Sequence, residues 1–126
     1  EKYGDEQVHI WRRSYDTLPP LLSEEEMEKQ YHLKRYAKLP KDVVPAAENL
    51  KITLERALPY YFDHIAPQLL RDEVVLVAAH GNSLRALAKH IEKISDDDIM
   101  GLEIPTGQPL VYELDNDLNM IKKYYL

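Results

Sequence analysis

The chain has 126 residues, 44% of them hydrophobic, which is enough for one domain with a real core. It contains no cysteine, so disulfides, thiolate nucleophiles and cysteine-bound zinc are excluded, and we expect a cytoplasmic protein. The net charge of -6 argues against general nucleic-acid binding, and the longest apolar run, residues 74–79, is far too short to cross a membrane. An acidic protein can still bind a small anion where its positive charges are concentrated.

The first third of the chain predicts two helices and a loop. Apolar side chains at helical spacing predict a helix over residues 5–15. Ser23, with a glutamate three residues later, forms the pattern of a capping box and predicts a second helix over 23–31. The basic segment 31–45 is broken by prolines and predicts an exposed loop. The apolar positions of the first helix are Val8, Trp11 and Tyr15.

The middle of the chain predicts one long helix and a buried strand. Six apolar positions on one face predict a helix from Ala47 to about Ile65, kinked at Pro59 and ended by Pro67. Residues 74–79 are apolar at every position, which is typical of a strand inside a parallel sheet with helices on both faces. The six helix positions are Leu50, Leu54, Ala57, Leu58, Tyr61 and Ile65.

The last third predicts two further helices and a hairpin. One helix is expected from about Ser83 to Lys93, with Leu84, Leu87, Ala88 and Ile91 facing inward, and a short one after Ser95. Segments 110–114 and 119–126 predict two strands around a polar turn. The total of three strands is narrow for a doubly wound fold, so we expect part of the sheet to be missing.

The turn after the predicted buried strand is the first candidate site. Ligands of open parallel sheets bind beyond the carboxyl ends of the strands, where His80 stands. A histidine there can transfer a proton or stabilise a phosphoryl group, and the residues Gly81 and Asn82 open a helix whose N–H groups favour an anion. The alternative is a structural histidine beside an N-capping Ser83, and the residues alone leave both open.

Arg12 and Arg13 are the second candidate, because two guanidinium groups can clamp a phosphate or a carboxylate. The alternative is a solvated helix face on which Arg12 pairs with Asp16, four residues later. Ser83 lies in a sequence that departs from a nucleophile elbow, since Arg85 stands where that motif needs glycine. The four other histidines lack metal-ligand spacing, so we expect no metal.

Several of these residues lie in segments that resemble one known family. The chain is similar along its whole length to the C-terminal half of cofactor-dependent phosphoglycerate mutases, the type that requires 2,3-bisphosphoglycerate, within the histidine phosphatase superfamily. The two most specific segments hold Arg-Arg and His-Gly-Asn-Ser in this order. The matching segments are Tyr3-Gly4-Asp5-Glu6-Gln7-Val8, Trp11-Arg12-Arg13-Ser14-Tyr15-Asp16, Pro19-Pro20, Glu48-Asn49-Leu50, Glu55-Arg56-Ala57-Leu58-Pro59, Ala79-His80-Gly81-Asn82-Ser83-Leu84-Arg85 and Pro105-Thr106-Gly107.

The resemblance implies a fold and a role for each candidate residue. Residues 1–126 would be the C-terminal half of a single three-layer α/β/α domain with a mostly parallel sheet, lacking the N-terminal strands and the nucleophilic histidine of an Arg-His-Gly motif. His80 would stabilise the transferring phosphoryl group, and Arg12, Arg13, Gly81 and Asn82 would bind the substrate. Ser83 is thereby removed as a nucleophile candidate.

The resemblance also implies a reaction and partners. The full-length enzyme would interconvert 3-phosphoglycerate and 2-phosphoglycerate through a phosphohistidine, primed by 2,3-bisphosphoglycerate and without a metal. We expect this chain alone to be inactive, to pair with the missing N-terminal half and to form a homo-oligomer. Two alternatives remain: a fragment of a broad-specificity histidine phosphatase, and a non-catalytic module for anion binding or assembly.

Overall fold

The computed structural model describes residues 2–126, which form helices and one small sheet. The helices are α1 (Asp5–Arg13), α2 (Glu24–Tyr31), α3 (Leu50–Tyr60), α4 (Ala66–Leu69) and α5 (Gly81–Glu92), and the strands are β1 (Leu110–Leu114) and β2 (Met120–Tyr125). A π-helical turn, Tyr61–Ile65, joins α3 to α4, and Lys41–Val43 and Asp98–Gly101 are short 3-10 helices.

Side-chain caps explain where α2 and α3 begin. At α2 the Ser23 hydroxyl accepts a bond from the Glu26 N–H, and the Glu26 carboxylate accepts one from the Ser23 N–H at 2.8 Å, so the predicted capping box is confirmed. The bond from the Ser23 N–H and a second one, donated to the carboxylate by the Ser23 hydroxyl at 2.9 Å, lower the pKa of Glu26. At α3 the Asn49 side-chain oxygen accepts from the Ile52 N–H at 2.9 Å, so this helix begins at Leu50 and not at Ala47.

The long central helix continues beyond the end predicted from the sequence. Pro59 lies inside α3, and the helix goes on through the π-helical turn, in which the Ala66 N–H bonds to the Tyr61 carbonyl five residues back. Pro67 does not end the helix as the sequence predicts, but lies in α4 directly after the wider π-helical turn. The helix ends at Leu69.

The core consists of two small clusters between the central helix and α5. The first contains Leu50, Ala86 and Ile99, with Tyr15 packed against it. The second is built on the π-helical turn and α4, and its buried members are Tyr61, Ile65 and Ala66. The inward face of α5 differs from the prediction, since Arg85, Ala86, Ala88 and Lys89 are buried while Leu84, Leu87 and Ile91 are only half-buried.

The predicted C-terminal hairpin is confirmed. Strands β1 and β2 are antiparallel, with Leu110 opposite Tyr125, and the register shifts by one residue at the end of β1. The Asp115 carboxylate closes the turn by accepting bonds from the N–H groups of Asp117 and Asn119, at 2.9 and 2.8 Å. These bonds lower the pKa of Asp115, the bond from Asn119 being the largest cause.

The predicted strand over residues 74–79 is not part of any sheet in the described residues. The segment carries no regular secondary structure, and its Val74 and Leu76 side chains are 100% and 89% exposed. A strand needs a neighbour for its backbone hydrogen bonds, and the sheet of residues 2–126 contains β1 and β2 alone. The helices together with this small antiparallel sheet confirm the α/β class, whereas the sheet of residues 2–126 does not confirm a three-layer arrangement around a mostly parallel sheet.

Every helix in residues 2–126 is too short or too polar to cross a membrane.

Candidate active site

His80 forms the N-cap of α5 with its own side chain. Its backbone is extended, and its ring nitrogen Nδ1 accepts a hydrogen bond from the Asn82 N–H at 3.2 Å. This cap replaces the one that the sequence offered at Ser83. Because Nδ1 is the acceptor, the proton of the neutral ring lies on Nε2, which is left to donate to a ligand.

One cavity of about 300 Å³ brings three of the predicted site residues together. Arg12 comes from the last turn of α1, while His80 and Asn82 come from the start of α5. The N–H groups at that helix end and the guanidinium of Arg12 favour an anion there. The remaining lining residues are Trp11, Ser14, Glu48, Asn49, Leu50, Thr53, Arg56, Ser83 and Arg85.

Arg13 does not line this cavity. Its Nη2 donates to a carboxylate oxygen of Glu103 at 2.6 Å, and it lines a second, smaller cavity of about 190 Å³ that Arg12 shares. Neighbouring residues lie about 100° apart on a helix, and of these two arginines Arg12 alone reaches the first cavity. Both line the second cavity, and the Glu103 bond uses only Nη2 of Arg13.

Gly81 is the first residue of α5, directly after the His80 cap. A Cβ atom placed on it would meet no atom within 4 Å among the described residues. Packing inside this chain therefore does not require glycine at that position. The space remains open for a ligand or for another segment.

The alternative interpretation of Arg12, a solvated pair with Asp16, has no counterpart in the described part of the chain. Helix α1 ends at Arg13, and Ser14 has extended backbone angles, so Asp16 no longer stands one turn below Arg12. No ion pair joins these two side chains within residues 2–126. Arg12 is exposed at the rim of the cavity.

The sequence did not predict the ion pair between Glu48 and Arg56 on the cavity wall. The guanidinium donates through Nε and Nη2 to the two carboxylate oxygens at 2.9 and 3.1 Å, and this bonding raises the pKa of Arg56. A two-point pair of this kind fixes both side chains. The sequence offered two signals: Glu48 stands near the start of a predicted helix, which the helix dipole also explains, and both residues lie in segments that match the family.

Arg85 is a further residue of the site that the sequence did not predict. It lines the cavity, but it is only 3% exposed, and burial lowers its pKa, with Arg13 adding a smaller contribution in the same direction. Ser14, another lining residue, has a buried hydroxyl oxygen without a hydrogen-bond partner in residues 2–126. Arg85 stands three residues after Asn82, one helical turn on, and that spacing was the available signal.

The cavity provides donors and positive charge. The part of the chain from residue 2 to residue 126 contains no group of three histidine, aspartate or glutamate side chains that could hold a metal ion. What the arrangement can do chemically is to bind an anion between Arg12 and the start of α5, with the imidazole of His80 against it.

No protein-family model matches this chain. Curated proteins, however, match it along all 126 residues. The chain is 70% identical to a 2,3-bisphosphoglycerate-dependent phosphoglycerate mutase of Neisseria gonorrhoeae strain NCCP11945 and covers 56% of that protein. The identity is 69% to the protein of the same name from Neisseria meningitidis serogroup C strain 053442 and 68% to that from Pasteurella multocida strain Pm70, again with 56% covered.

The chain thus spans about half the length of the curated relatives that it matches. Identity of this size without a break in coverage reflects common descent. The chain is a homologue of the 2,3-bisphosphoglycerate-dependent phosphoglycerate mutases.

Proposed function

We propose that this chain contributes one part of the active site of an enzyme that interconverts 3-phosphoglycerate and 2-phosphoglycerate through a phosphohistidine. The observation that carries the proposal is the shared cavity of Arg12, His80 and Asn82 at the start of α5. The 70% identity to a named mutase supports the substrate class. Arg12 alone could serve any anion, so the proposal depends on both observations together.

His80 is assigned to stabilise the phosphoryl group during transfer. Its Nδ1 is occupied by the Asn82 N–H, so the Nε2–H is the group that donates to a phosphoryl oxygen. Phosphoryl transfer spreads negative charge over the oxygens of the transferring group, and a preorganised donor stabilises that charge. The cap bond holds the ring before the substrate arrives.

Arg12, Arg13, Gly81 and Asn82 are assigned to substrate binding. Arg12 lines the larger cavity, and Arg13 is assigned to a second anionic group of the substrate through the smaller cavity that it shares with Arg12. Gly81 lets the backbone at the start of α5 approach the ligand, and Asn82 offers a side-chain amide beside it.

The donor set fits 2,3-bisphosphoglycerate, which carries two phosphates and a carboxylate. Two guanidinium groups, an imidazole and a helix N-terminus are the groups that bind such anions. Arg12, Arg13, His80 and Asn82 would hold it. When bound, this cofactor supplies the phosphoryl group that primes the enzyme, and the proposal includes no metal.

The remaining parts of the enzyme are assigned to a segment outside these 126 residues. That segment provides the nucleophilic histidine and the strands beside residues 74–79, so that residues 1–126 become the C-terminal half of one three-layer domain with a mostly parallel sheet. The exposed Val74 and Leu76 side chains and the coverage of about half of each relative support this assignment. The proposal further includes inactivity of the chain alone, a homo-oligomeric enzyme and a cytoplasmic location.

The test uses the chain joined to the remaining part of the Neisseria gonorrhoeae relative. We expect His80→Ser, which keeps a capping oxygen but loses the Nε2 donor, to lower kcat by about 100-fold or more with little change in KM. We expect Arg12→Ala to raise KM by about 10-fold or more, because it removes an anion contact. The controls are His32→Ala and Arg35→Ala, two exposed residues that do not line the cavity, and they should leave both constants unchanged.

Product analysis separates the proposed reaction from its alternatives. The mutase returns the phosphoryl group to the glycerate, so the sum of the two phosphoglycerates stays constant. Release of inorganic phosphate in step with substrate loss would make the protein a phosphatase instead. No turnover, with binding retained, would make it an anion-binding module.

A further inference from the structure

We propose that Arg85 is a positioning residue whose buried guanidinium fixes the carboxyl end of α1, and with it Arg12 and Arg13, against the first turn of α5. The inference rests on the anion-binding role proposed for those two arginines. It concerns a side chain that need not touch the substrate. Its effect would be to set the distance between the arginines and His80.

All three nitrogen atoms of the Arg85 side chain donate hydrogen bonds. Nε donates to the Leu102 carbonyl at 2.9 Å, and Nη2 donates to the carbonyls of Ile99 and Arg13 at 2.8 and 3.0 Å. Nη1 donates to the Arg12 carbonyl at 3.3 Å and to the Asn82 side-chain oxygen at 3.4 Å. The acceptors lie in three separate segments of the chain.

These acceptors are neutral, which is unusual for a cation that is only 3% exposed. Burying a charge without an opposite charge is costly, so the lost hydration of the guanidinium has to be offset by well-aligned hydrogen bonds. The last carbonyls of a helix are free of intrahelical partners and carry partial negative charge, and the planar guanidinium offers five N–H donors in a fixed fork. Arg85 therefore acts as a C-terminal cap of α1 supplied by another helix.

The same guanidinium bonds to the backbone of both proposed substrate-binding arginines and to the side chain of Asn82. A shift of α1 along α5 would stretch the Nη1 and Nη2 bonds together. Arg12 reaches the cavity from α1, whereas His80 and Asn82 reach it from α5. Arg85 is thus the direct hydrogen-bonded link between the two halves of the anion site.

The test compares three variants of this chain: Arg85→Lys, Arg85→Met and Lys89→Met. Lys89 is the matched control, because it is a second buried cation on the same face of α5. Its ammonium donates to the Ile94 carbonyl at 2.7 Å and lies 2.8 Å from Asp96, so its polar partners are outside α1. Loss of a buried cation is common to both methionine variants, and loss of the α1 cap belongs to the Arg85 variants alone.

The first readout is amide hydrogen exchange in the last turn of α1, including the Ser14 N–H that bonds to the Ile10 carbonyl at 2.9 Å. We expect Arg85→Lys to accelerate exchange there by about 10-fold relative to α2, because lysine keeps the charge but cannot form the fork. Lys89→Met should leave the ratio between α1 and α2 unchanged.

The second readout is the affinity for 2,3-bisphosphoglycerate and for inorganic phosphate, measured by calorimetry. We expect Arg85→Lys to weaken binding of the bisphosphate by about 10-fold and Lys89→Met to change it by less than about 2-fold. If charge alone were what Arg85 supplies, the lysine variant would bind as the wild type does, and that result would overturn the inference.

Unchanged exchange in α1 of Arg85→Lys would also overturn it, whatever the affinities are. If Arg85→Met does not fold, the lysine variant carries the comparison. If the wild-type chain binds neither probe, the anion-binding part of the proposed function fails for this chain, while the exchange measurement still decides whether Arg85 holds α1. The two failures are therefore distinguishable.

Discussion

At His80 the start of a helix and the chemistry of the site depend on the same ring. Nδ1 caps α5 through the Asn82 N–H, and the opposite edge of the ring stays available for a ligand. The sequence predicted His80 and Asn82 as site residues because they are neighbours in a turn that follows an apolar run. Their proximity needed no knowledge of the tertiary structure.

The hydrogen bonds of Arg85 could not be predicted from neighbouring residues in the sequence. Hydrophobic patterning ranks arginine as a surface residue, whereas here it is buried and donates to carbonyls as far as 73 residues away in the sequence. The shared cavity of Arg12 and Asn82 likewise depends on how α1 lies against α5. The sequence shows that these residues can donate hydrogen bonds, but it does not show which groups they meet in the folded chain.

His90 gives a pH prediction at the scale of one residue. Its ring packs edge-on against Tyr61 and Phe62, with centroids 5.1 and 5.4 Å away, and burial lowers its pKa below the ordinary value of 6.5. The folded state therefore binds the proton less readily than the unfolded state does. The free energy of unfolding should fall as the pH drops below about 6.5 and recover above it.

The measurement is urea unfolding of the wild type and of His90→Phe between pH 5 and pH 8. The phenylalanine variant keeps an aromatic ring and loses the titration, so its free energy of unfolding should fall less at low pH. Subtracting the two profiles removes the groups that they share. Parallel profiles would contradict the prediction.

Among the elements, those governed by local sequence were predicted well. The capping box of α2 and the hairpin turn at Asp115 both rest on bonds between residues four or fewer apart. The π-helical turn was missed, because one extra residue per turn leaves no pattern that differs from an α-helix over so short a stretch. The prediction of the buried face of α5 was partly wrong, because two of the side chains buried on that face are cations.

Helix α2 offers a test of one element, since none of its residues is buried and its capping box is exposed. We expect Ser23→Ala to destabilise the helix by about 1 kcal/mol, because the Glu26 N–H loses its acceptor. Amide exchange within α2 should then become about 5-fold faster, since that free energy is a factor of about five. Ser23→Thr, which keeps the hydroxyl, is the control, and equal rates in the two variants would contradict the role of the cap.

At the scale of the whole molecule, the predicted and the observed fold differ at the apolar run of residues 74–79. Its composition predicted a strand covered on both faces, yet Val74 and Leu76 are exposed and no ladder includes them in residues 2–126. A strand lies inside a sheet only when neighbouring strands pair with both of its edges. The composition of residues 74–79 indicates that this segment suits such a position, but it does not say whether the neighbouring strands are present. Large exposed apolar surfaces of this kind mark contacts with other polypeptide.

We expect the remaining part of the Neisseria gonorrhoeae relative, added to this chain, to cover that run and to restore mutase turnover. The chain alone should show no turnover. The variant Leu76→Asp should fold as the wild-type chain does, because the side chain is 89% exposed, but should weaken association by about 10-fold or more, since it places a charge in the contact.

The matched control is Leu39→Asp, at an exposed leucine in the loop between α2 and α3. Association can be followed by calorimetry and turnover by conversion of 3-phosphoglycerate. Equal association of the two aspartate variants would remove residues 74–79 from the contact. Turnover by the chain alone, at a rate comparable to that of the joined protein, would contradict the assignment of the nucleophile to another segment.

The π-helical turn at Tyr61–Ile65 accommodates one residue more than an α-helical turn would. This extra residue turns everything that follows by about 100° relative to an uninterrupted α-helix of the same sequence. Ile65 and Ala66, at the end of the turn and directly after it, thereby pack in the second core cluster. Removing one exposed residue of the turn, Phe62 or Asp63, would restore α-helical hydrogen bonds and leave Ile65 facing the same cluster. The turn should therefore tolerate loss of one exposed residue, whereas one added residue would rotate Ile65 and Ala66 away from the core.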